Sequence, residues 1–256
     1  MRALWLSAGA VATVCALLFS SLTFWDGFAH ASPPTENTSR SIAFKLSQLK
    51  VIAGRGSVNL SIHPGEAGEL FLERSLRWSK TKPTVKEDWD GRTLRLDASC
   101  PGTDERHAPI CEADYTLFVP VETDVEAESA NGGLEVNRIY GNVRMTSESG
   151  LLRVNETSGT VWARSGSGNI GGRALIGGEA DVETGSGRVD LAFDTAPTRV
   201  RAVVRTRGSV AVLVPGLAYD VDARAKNLNL DIRKDSASPR KITVQVPDGV
   251  ASVCCR

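Results

Sequence analysis

A repeat in the second half of the chain constrains the fold more than any other feature of the sequence. Each copy begins with a turn glycine and continues into apolar residues at alternate positions. The copies begin at Gly132, Gly150, Gly168, Gly187 and Gly208, with Lys226 in this position in a further copy, at steps of 18, 18, 19, 21 and 18 residues. A unit of this length holds two short strands and cannot bury its apolar stripe alone. The sequence therefore predicts a β-solenoid-like coil in which equivalent strands of successive turns stack.

The alternation within each copy predicts which side chains face inward. In the copy that begins at Gly187, Val189 is expected to point into the coil and Arg188 and Asp190 to face solvent, because successive strand residues alternate sides. The glycines are expected at corners with positive φ, which glycine adopts without steric cost. A second, interleaved series of strands predicts one outward ladder, formed by Arg144, Trp162, Asp181, Arg201 and Asp222.

The region between the N-terminal segment and the repeats also has the pattern of strands. Apolar residues alternate with polar ones between Ser41 and Pro120, and Asp90-Gly91 marks a tight hairpin. The fold class is therefore all-β with Gly-rich turns, preceded by a transmembrane helix or signal segment. The predicted boundaries are an N-terminal segment 1–31, a polar linker 32–40, an exported domain 41–248 (a hairpin-rich part 41–124 and repeats 125–235) and a C-terminal tail 249–256.

The N-terminal segment has the composition of a membrane helix. The stretch from Ala3 to Trp25 carries no charge over 23 residues, which is about the length that crosses a bilayer. Arg2 precedes it and favours a cytoplasmic N-terminus. We therefore expect a single-pass protein of the cell membrane with an exported C-terminal domain. The alternative is a secreted protein, cleaved near Ala31.

Export makes a disulfide bond available. Cys100 and Cys111 bracket a polar, proline-flanked loop, and we expect them to form a disulfide in an oxidising compartment. A metal site that includes His107 of the same loop is the alternative, although two cysteines and one histidine form an incomplete zinc pattern. The roles of Cys254 and Cys255 stay open between free thiols, an intermolecular bridge and a vicinal disulfide.

One candidate binding patch stands out on the outward ladder. Trp162 lies beside Arg144 and Arg164 in the predicted register, and a large exposed aromatic residue next to basic groups can mark a binding surface. The alternative is that a loop or the N-terminal strands cover the indole ring. By contrast, we expect Glu87, Asp88 and Asp90, which flank a turn, to be ordinary solvated carboxylates.

Composition argues against several other functions. The charges of the 30 basic and 30 acidic side chains cancel. The sequence also has no long run of basic residues that could bind along the phosphate backbone of a nucleic acid, so no nucleic acid partner is expected. The Gly-Ser-Gly segments lack the lysine and the following helix of a phosphate loop. We expect no cofactor.

Three segments together carry a family resemblance. The segment "ERSLRWSKTKPTVKEDWDGRTLRLDASC", the following "CEADYTLFVP" and the "TGSGRVDL"-type units resemble the bacterial β-strand-repeat domains of unknown function known as putative adhesins or toast-rack domains. The resemblance covers roughly residues 41–247. It implies an extracytoplasmic β domain, often tethered by one transmembrane helix, with a role in adhesion or envelope-stress sensing, and it brings no catalytic motif.

Two functional classes follow from these observations. The first is a non-enzymatic, membrane-tethered envelope module whose partner is another envelope protein or a surface glycan. The second is a β-helix enzyme that acts on a cell-surface polysaccharide, since such folds can host this chemistry. Glycoside hydrolysis requires two carboxylates across a groove, and no such pair can be located from the sequence.

Overall fold

The computed structural model describes residues 13–22, 24, 33–54, 58–99 and 110–255. Residues 13–22 are helical, and within the described ranges no helix has the length and apolar character needed to span a membrane. Most of the predicted N-terminal segment, with the cleavage position near Ala31, lies outside the described residues. The tether and its cleavage therefore stay predictions.

The rest of the described chain is all-β, as the sequence predicts. The strands in chain order are β1 (Thr35–Ala43), β2 (Gln48–Ala53), β3 (Val58–Gly65), β4 (Glu69–Trp78), β5 (Thr84–Trp89), β6 (Thr93–Ser99), β7 (Cys111–Pro120), β8 (Asp124–Ser129), β9 (Leu134–Asn137), β10 (Val143–Ser147), β11 (Leu152–Asn155), β12 (Val161–Ser165), β13 (Ile170–Leu175), β14 (Glu179–Thr184), β15 (Gly187–Phe193), β16 (Arg199–Val204), β17 (Arg207–Val214), β18 (Ala218–Asp231), β19 (Arg233–Lys234) and β20 (Lys241–Cys255).

The strands form two ladders whose parallel parts follow the sequence repeat. In the first ladder β2, β8, β10, β12, β14 and β16 are successive parallel neighbours. In the second ladder, the successive parallel neighbours are β3, β9, β11, β13, β15 and β17. Each turn of the chain thus contributes one strand to each ladder, and Leu152 pairs with Leu134 one turn earlier. This is the stacking that the repeat predicts.

The apolar stripe of each turn fills the space between the ladders. Val189 and Leu191 of β15 are buried, whereas Arg188 and Asp190 are exposed. The predicted side-chain parity is therefore confirmed for this strand. Burying one such aliphatic side chain contributes about 1.5–3 kcal/mol to stability, and every interior turn repeats the contribution.

The turn glycines are needed mainly because successive turns approach each other closely. A Cβ added at Gly150 would lie 2.0 Å from the carbonyl oxygen of Gly132, and one at Gly208 would lie 1.8 Å from that of Gly187. Positive φ, the reason expected from the sequence, occurs in this series at Gly168 and Gly187. Close packing between turns, rather than a positive φ angle, is thus the reason for glycine that these positions share.

The order of the last turns differs from the sequence prediction. Strand β20 lies between β16 and β18 in the first ladder and between β17 and β18 in the second. Gly249, not Lys226, therefore stacks on Gly208, and Thr243 separates Arg201 from Asp222 in the outward ladder. In the first ladder the inward side chains of β20 (Ile242, Val244 and Val246) are bulkier than those of β18 (Val221, Ala223 and Ala225), and β20 takes the buried position.

Both predicted flanking segments contribute strands. Residues 249–255, expected as part of a tail, lie in β20, where Ala251 and Val253 are buried. Strand β1 begins at Thr35, within the expected linker 32–40, and pairs with β4 in antiparallel orientation. Its side chains are mostly exposed, so the strand is held largely by backbone pairing and shows no apolar alternation in the sequence.

Candidate functional site

The predicted patch is assembled as the register implies. Arg144 of β10 lies directly opposite Trp162 of β12, and Arg164 follows two residues later on the same face. The guanidinium carbon of Arg144 lies 3.6 Å from the centroid of the Trp162 ring, and that of Arg164 lies 4.4 Å away. The two cations thus already occupy the aromatic ring in cation–π contacts.

An ion-pair network continues from this patch across the first ladder. Arg164 and Arg201 both contact Asp181, with N–O distances of 2.9 and 3.0 Å, and Arg201 also contacts Glu183 at 2.9 Å. Partial burial acts to raise the pKa of Asp181 and of Glu183, but hydrogen bonds from the arginines outweigh it and lower both pKa values. Both carboxylates are therefore held in the ionised form.

Arg144 differs from the other arginines of this network. Within the described part of the chain it makes no ion pair or hydrogen bond, and its contact is the Trp162 ring. Of the three residues of the patch, Arg144 therefore has the guanidinium group with most capacity for an outside ligand.

A second concave surface, which the sequence analysis missed, lies on the outer face of the second ladder. It is an open trough with a volume of about 1000 Å³. Five outward residues align across it, in the order Glu135, Arg153, Gly171, Asp190 and Ala211. The row is open in its middle, where Gly171 has no side chain, and at its end, where Ala211 has a short one. We call this surface the arginine trough.

Three arginines give the arginine trough its chemistry. Arg153 pairs with Glu135 at 3.8 Å. Arg173 and Arg188 also line the trough, and in the described chain neither guanidinium group has an ion pair or a hydrogen bond. Asp190 adds one exposed carboxylate. The surface can thus contact both acidic groups and hydroxyl groups of a ligand.

One signal in the sequence could have indicated the arginine trough. In the copy "GNIGGRAL", the outward position that holds arginine or aspartate in neighbouring copies is Gly171. A glycine at an outward strand position, flanked by Arg153 and Asp190 in the next turns, indicates a depression lined by charges. Most other glycines of the repeat lie at or next to turns, so Gly171 is easily taken for one more turn glycine.

Glu87 is not the solvated carboxylate expected from the sequence. Its side chain is only 14% exposed and accepts a hydrogen bond from Arg74 at 2.7 Å. The Tyr115 hydroxyl donates to the same carboxylate at 3.2 Å, and burial together with this charge raises the pKa of the tyrosine. The carboxylate is shielded from water because Arg74 of β4, Tyr115 of β7 and Arg40 of β1 reach it, and these long-range contacts were not indicated by the local turn pattern.

The predicted disulfide is described on one side only. Cys111 begins β7 and is buried, whereas Cys100 and His107 lie outside the described residues. The bridge and the alternative metal site therefore stay predictions. Cys254 and Cys255, at the end of β20, are free thiols.

Comparisons with known proteins give structural neighbours but no family. No family model and no curated protein matches the chain. It is similar to several solved bacterial structures, among them a "putative cell adhesion protein" from Clostridium sporogenes (11% identity, TM-score 0.38, 87% of this chain and 100% of that one). Another is a "putative adhesin" from Bacteroides fragilis (12% identity, TM-score 0.33, 88% and 99%). A third is a "putative lipid binding protein" from Parabacteroides distasonis (12% identity, TM-score 0.34, 86% and 97%).

Proposed function

We propose that this protein is a non-enzymatic, membrane-tethered extracytoplasmic module with an adhesion-like role, and that it binds an acidic polysaccharide along the arginine trough. The observation that carries the proposal is the pair of guanidinium groups of Arg173 and Arg188, which have no ion pair or hydrogen bond within the described residues and which lie beside the opening at Gly171. A role in envelope-stress sensing would use the same surface, with the bound polymer as the signal.

The chemistry of the arginine trough suits an extended acidic sugar. A planar guanidinium group binds a carboxylate through two parallel hydrogen bonds, and Asp190 can accept hydrogen bonds from sugar hydroxyls. The trough crosses five strands, which corresponds to about 19 Å at the usual strand spacing. A chain of several sugar units fits this length better than a single small molecule.

The charged face of the first ladder is unsuited to glycoside hydrolysis. A glycosidase needs one carboxyl group with a raised pKa as its general acid. Asp181 and Glu183 have lowered pKa values and are engaged by arginines. If the protein were nevertheless an enzyme on a cell-surface polysaccharide, incubation would shorten the polymer, and we expect its length to stay unchanged.

Calorimetric titration with polygalacturonate, and with neutral amylose as the comparison polymer, tests the proposal. We expect the wild type to bind polygalacturonate but not amylose. The double variant Arg173→Gln, Arg188→Gln should bind polygalacturonate at least about 10-fold more weakly, since each lost charge-assisted hydrogen bond costs about 1.5–3 kcal/mol. The matched control is Arg92→Gln, Arg95→Gln, which removes two exposed arginines elsewhere. Equal losses in the two double variants, or no binding by the wild type, would contradict the proposal.

Substitution of Gly171 tests the location without changing charge. A Cβ at this position would have its nearest neighbour, the Cγ of Arg153, at 3.9 Å, so Gly171→Ala should leave both folding and binding intact. Gly171→Phe should fill the trough and abolish binding. If the phenylalanine variant binds as well as the alanine variant, the ligand lies elsewhere.

A further inference from the structure

The outer edge of β18 is free beyond Tyr219, because β19 covers it only at Ala218 and Tyr219. Strand β18 pairs with β20 on one side, and over residues 220–231 no described strand pairs with its other side. The Asp220 N–H donates to the Arg240 carbonyl at 2.8 Å, so even-numbered residues direct their backbone groups toward β20. Val221, Ala223 and Ala225 therefore present their N–H and C=O groups to the free edge, where another strand can pair with them.

The interior of the coil is also uncovered at this end. Val210 and Val212, in the interior strand β17, are buried. In β18 the inward-facing Val221 is only half-buried, and Leu228 is 45% exposed. A strand that pairs with β18 must therefore bring apolar side chains to its inward positions, as a strand of the same coil does.

The outward charges of β18 complement those of a second copy. Along the strand, Asp220 and Asp222 come first, and Arg224 and Lys226 follow on the same face. If a second copy pairs in antiparallel orientation with Ala223 opposite Ala223, Asp220 lies opposite Lys226 of the second copy, and Asp222 lies opposite Arg224. We propose that the free edge of β18 is a homodimer interface that joins two coils end to end in this register.

The backbone geometry agrees with the register that the charges select. With Ala223 on the two-fold axis, Val221 lies opposite Ala225 of the second copy, and these inward residues are the ones whose N–H and C=O groups point to the free edge. They form the hydrogen-bonded pairs of an antiparallel ladder. The charged residues fall at the non-hydrogen-bonded pairs, where facing side chains are closest.

The interface is closed because it is symmetric. Two copies that pair through the same edge use it up, so the assembly stops at a dimer rather than growing into a fibre. Strand β1 lies at the opposite end of the coil, so the two β1 strands lie at the far ends of the pair. With the N-terminal tether proposed above, the dimer would connect two opposing membrane surfaces; the pairing itself does not depend on that tether or on the arginine trough.

Charge reversal with mutual rescue tests the register. One chain carries Arg224→Asp and Lys226→Asp, which makes its edge wholly acidic. The other carries Asp220→Lys and Asp222→Lys, which makes its edge wholly basic. All four side chains are exposed or nearly so, so both chains should fold, and circular dichroism melts check this. The mass of the full chain is measured by light scattering across concentrations at low salt.

We expect the wild type to dimerise as its concentration rises, and each reversed chain to dimerise at least about 100-fold more weakly, because like charges face each other. A mixture of the two reversed chains should dimerise again. The control Lys45→Asp, Lys80→Asp, at the other end of the coil, should behave as the wild type. All chains carry Cys254→Ser and Cys255→Ser, so that no disulfide can link them. A wild type that stays monomeric, or reversed chains that dimerise unmixed, would overturn the proposal.

Discussion

The two ends of the coil are built differently. At the N-terminal end, β4 and β7 pair in antiparallel orientation, β1 pairs with β4, and β5 pairs with β6. Leu70, Leu72 and Leu76 of β4 are buried there. At the C-terminal end the stack ends at the largely polar strand β18, in which Leu228 is exposed. Antiparallel strands added at the N-terminal end thus bury the apolar side chains of β4, whereas β18 leaves apolar side chains open at the C-terminal end. In this sense we call the N-terminal end closed and the C-terminal end open.

Polar contacts reinforce the closed end. Arg74 of β4 and Glu87 of β5 form an ion pair whose side chains are each 14% exposed, and Tyr115 of β7 donates to the same carboxylate. Three strands are thereby joined by one carboxylate. The ion pairs of β18, such as Arg224 with Asp222, are exposed and longer, at 3.4 Å, and an exposed pair of this kind contributes little to stability.

The same substitution at each end should give the largest contrast. Leu72→Asp buries a carboxylate without a partner at the closed end and should lower the free energy of unfolding by about 3–5 kcal/mol. Leu230→Asp, in the half-buried β18, should cost below about 1 kcal/mol because water reaches the carboxylate. Urea denaturation of both variants measures the difference. Equal costs would show that the C-terminal end is covered as well.

Glycine substitutions should change stability more in the stacked turns than in the loop that precedes β18. Gly150→Ala places a Cβ 2.0 Å from a backbone oxygen and should cost about 1–3 kcal/mol, as overpacking does. Gly216→Ala meets no atom within 4 Å and should be neutral or stabilise by about 0.5 kcal/mol. Thermal melts measure both. A neutral Gly150→Ala would contradict the close stacking of the turns.

Acid should weaken the middle of the coil through its charged ladder. Asp181 and Glu183 have pKa values below their ordinary values of 3.8 and 4.5. Each therefore contributes stability above its ordinary pKa, and this contribution is lost as the pH falls through the lowered value. Solvent screening limits the effect to about 1 kcal/mol for each group. Denaturation curves between about pH 6 and pH 2 should show the loss, and Arg201→Gln should reduce it; an unchanged pH profile in that variant would contradict the assignment.

The smallest effect is expected at the predicted patch. Arg144→Gln removes one exposed cation–π contact and should cost about 0.5–1 kcal/mol of stability, with less effect on polygalacturonate binding than the Arg173→Gln, Arg188→Gln variant. Urea denaturation and the same calorimetric titration measure the two quantities. A larger loss of binding than in the double variant would move the ligand site from the arginine trough to the patch.

The sequence predicts the interior turns well because their structure follows from a local period. Val189 and its equivalents alternate with charged residues, and that alternation alone determines which side faces inward. The choice between β18 and β20 for the buried position is different, since it depends on a competition between distant strands for the same partners. The parallel neighbours of β16 therefore could not be assigned from local pattern.

The candidate sites show the same division. The patch could be predicted from the sequence because Arg144 and Trp162 occupy equivalent positions in neighbouring turns, and Arg164 follows Trp162 by two residues on the same face. The arginine trough exists because Gly171 has no side chain. Recognising it requires the alignment of the outward residues of five neighbouring strands. Strand β1 was missed because an edge strand needs backbone partners more than an apolar stripe.

Amide hydrogen exchange of the full chain, read residue by residue at a concentration of about 1 µM, tests the difference between the two ends most directly. In β18 the amides of Asp222 and Arg224 should exchange slowly, and those of Val221, Ala223 and Ala225 rapidly, because only the even-numbered residues face β20. In β4, which has a partner on each side, successive amides should all be protected. Uniform protection along residues 220–226 that persists in the chain with Arg224→Asp and Lys226→Asp, which should not dimerise, would contradict an open C-terminal end.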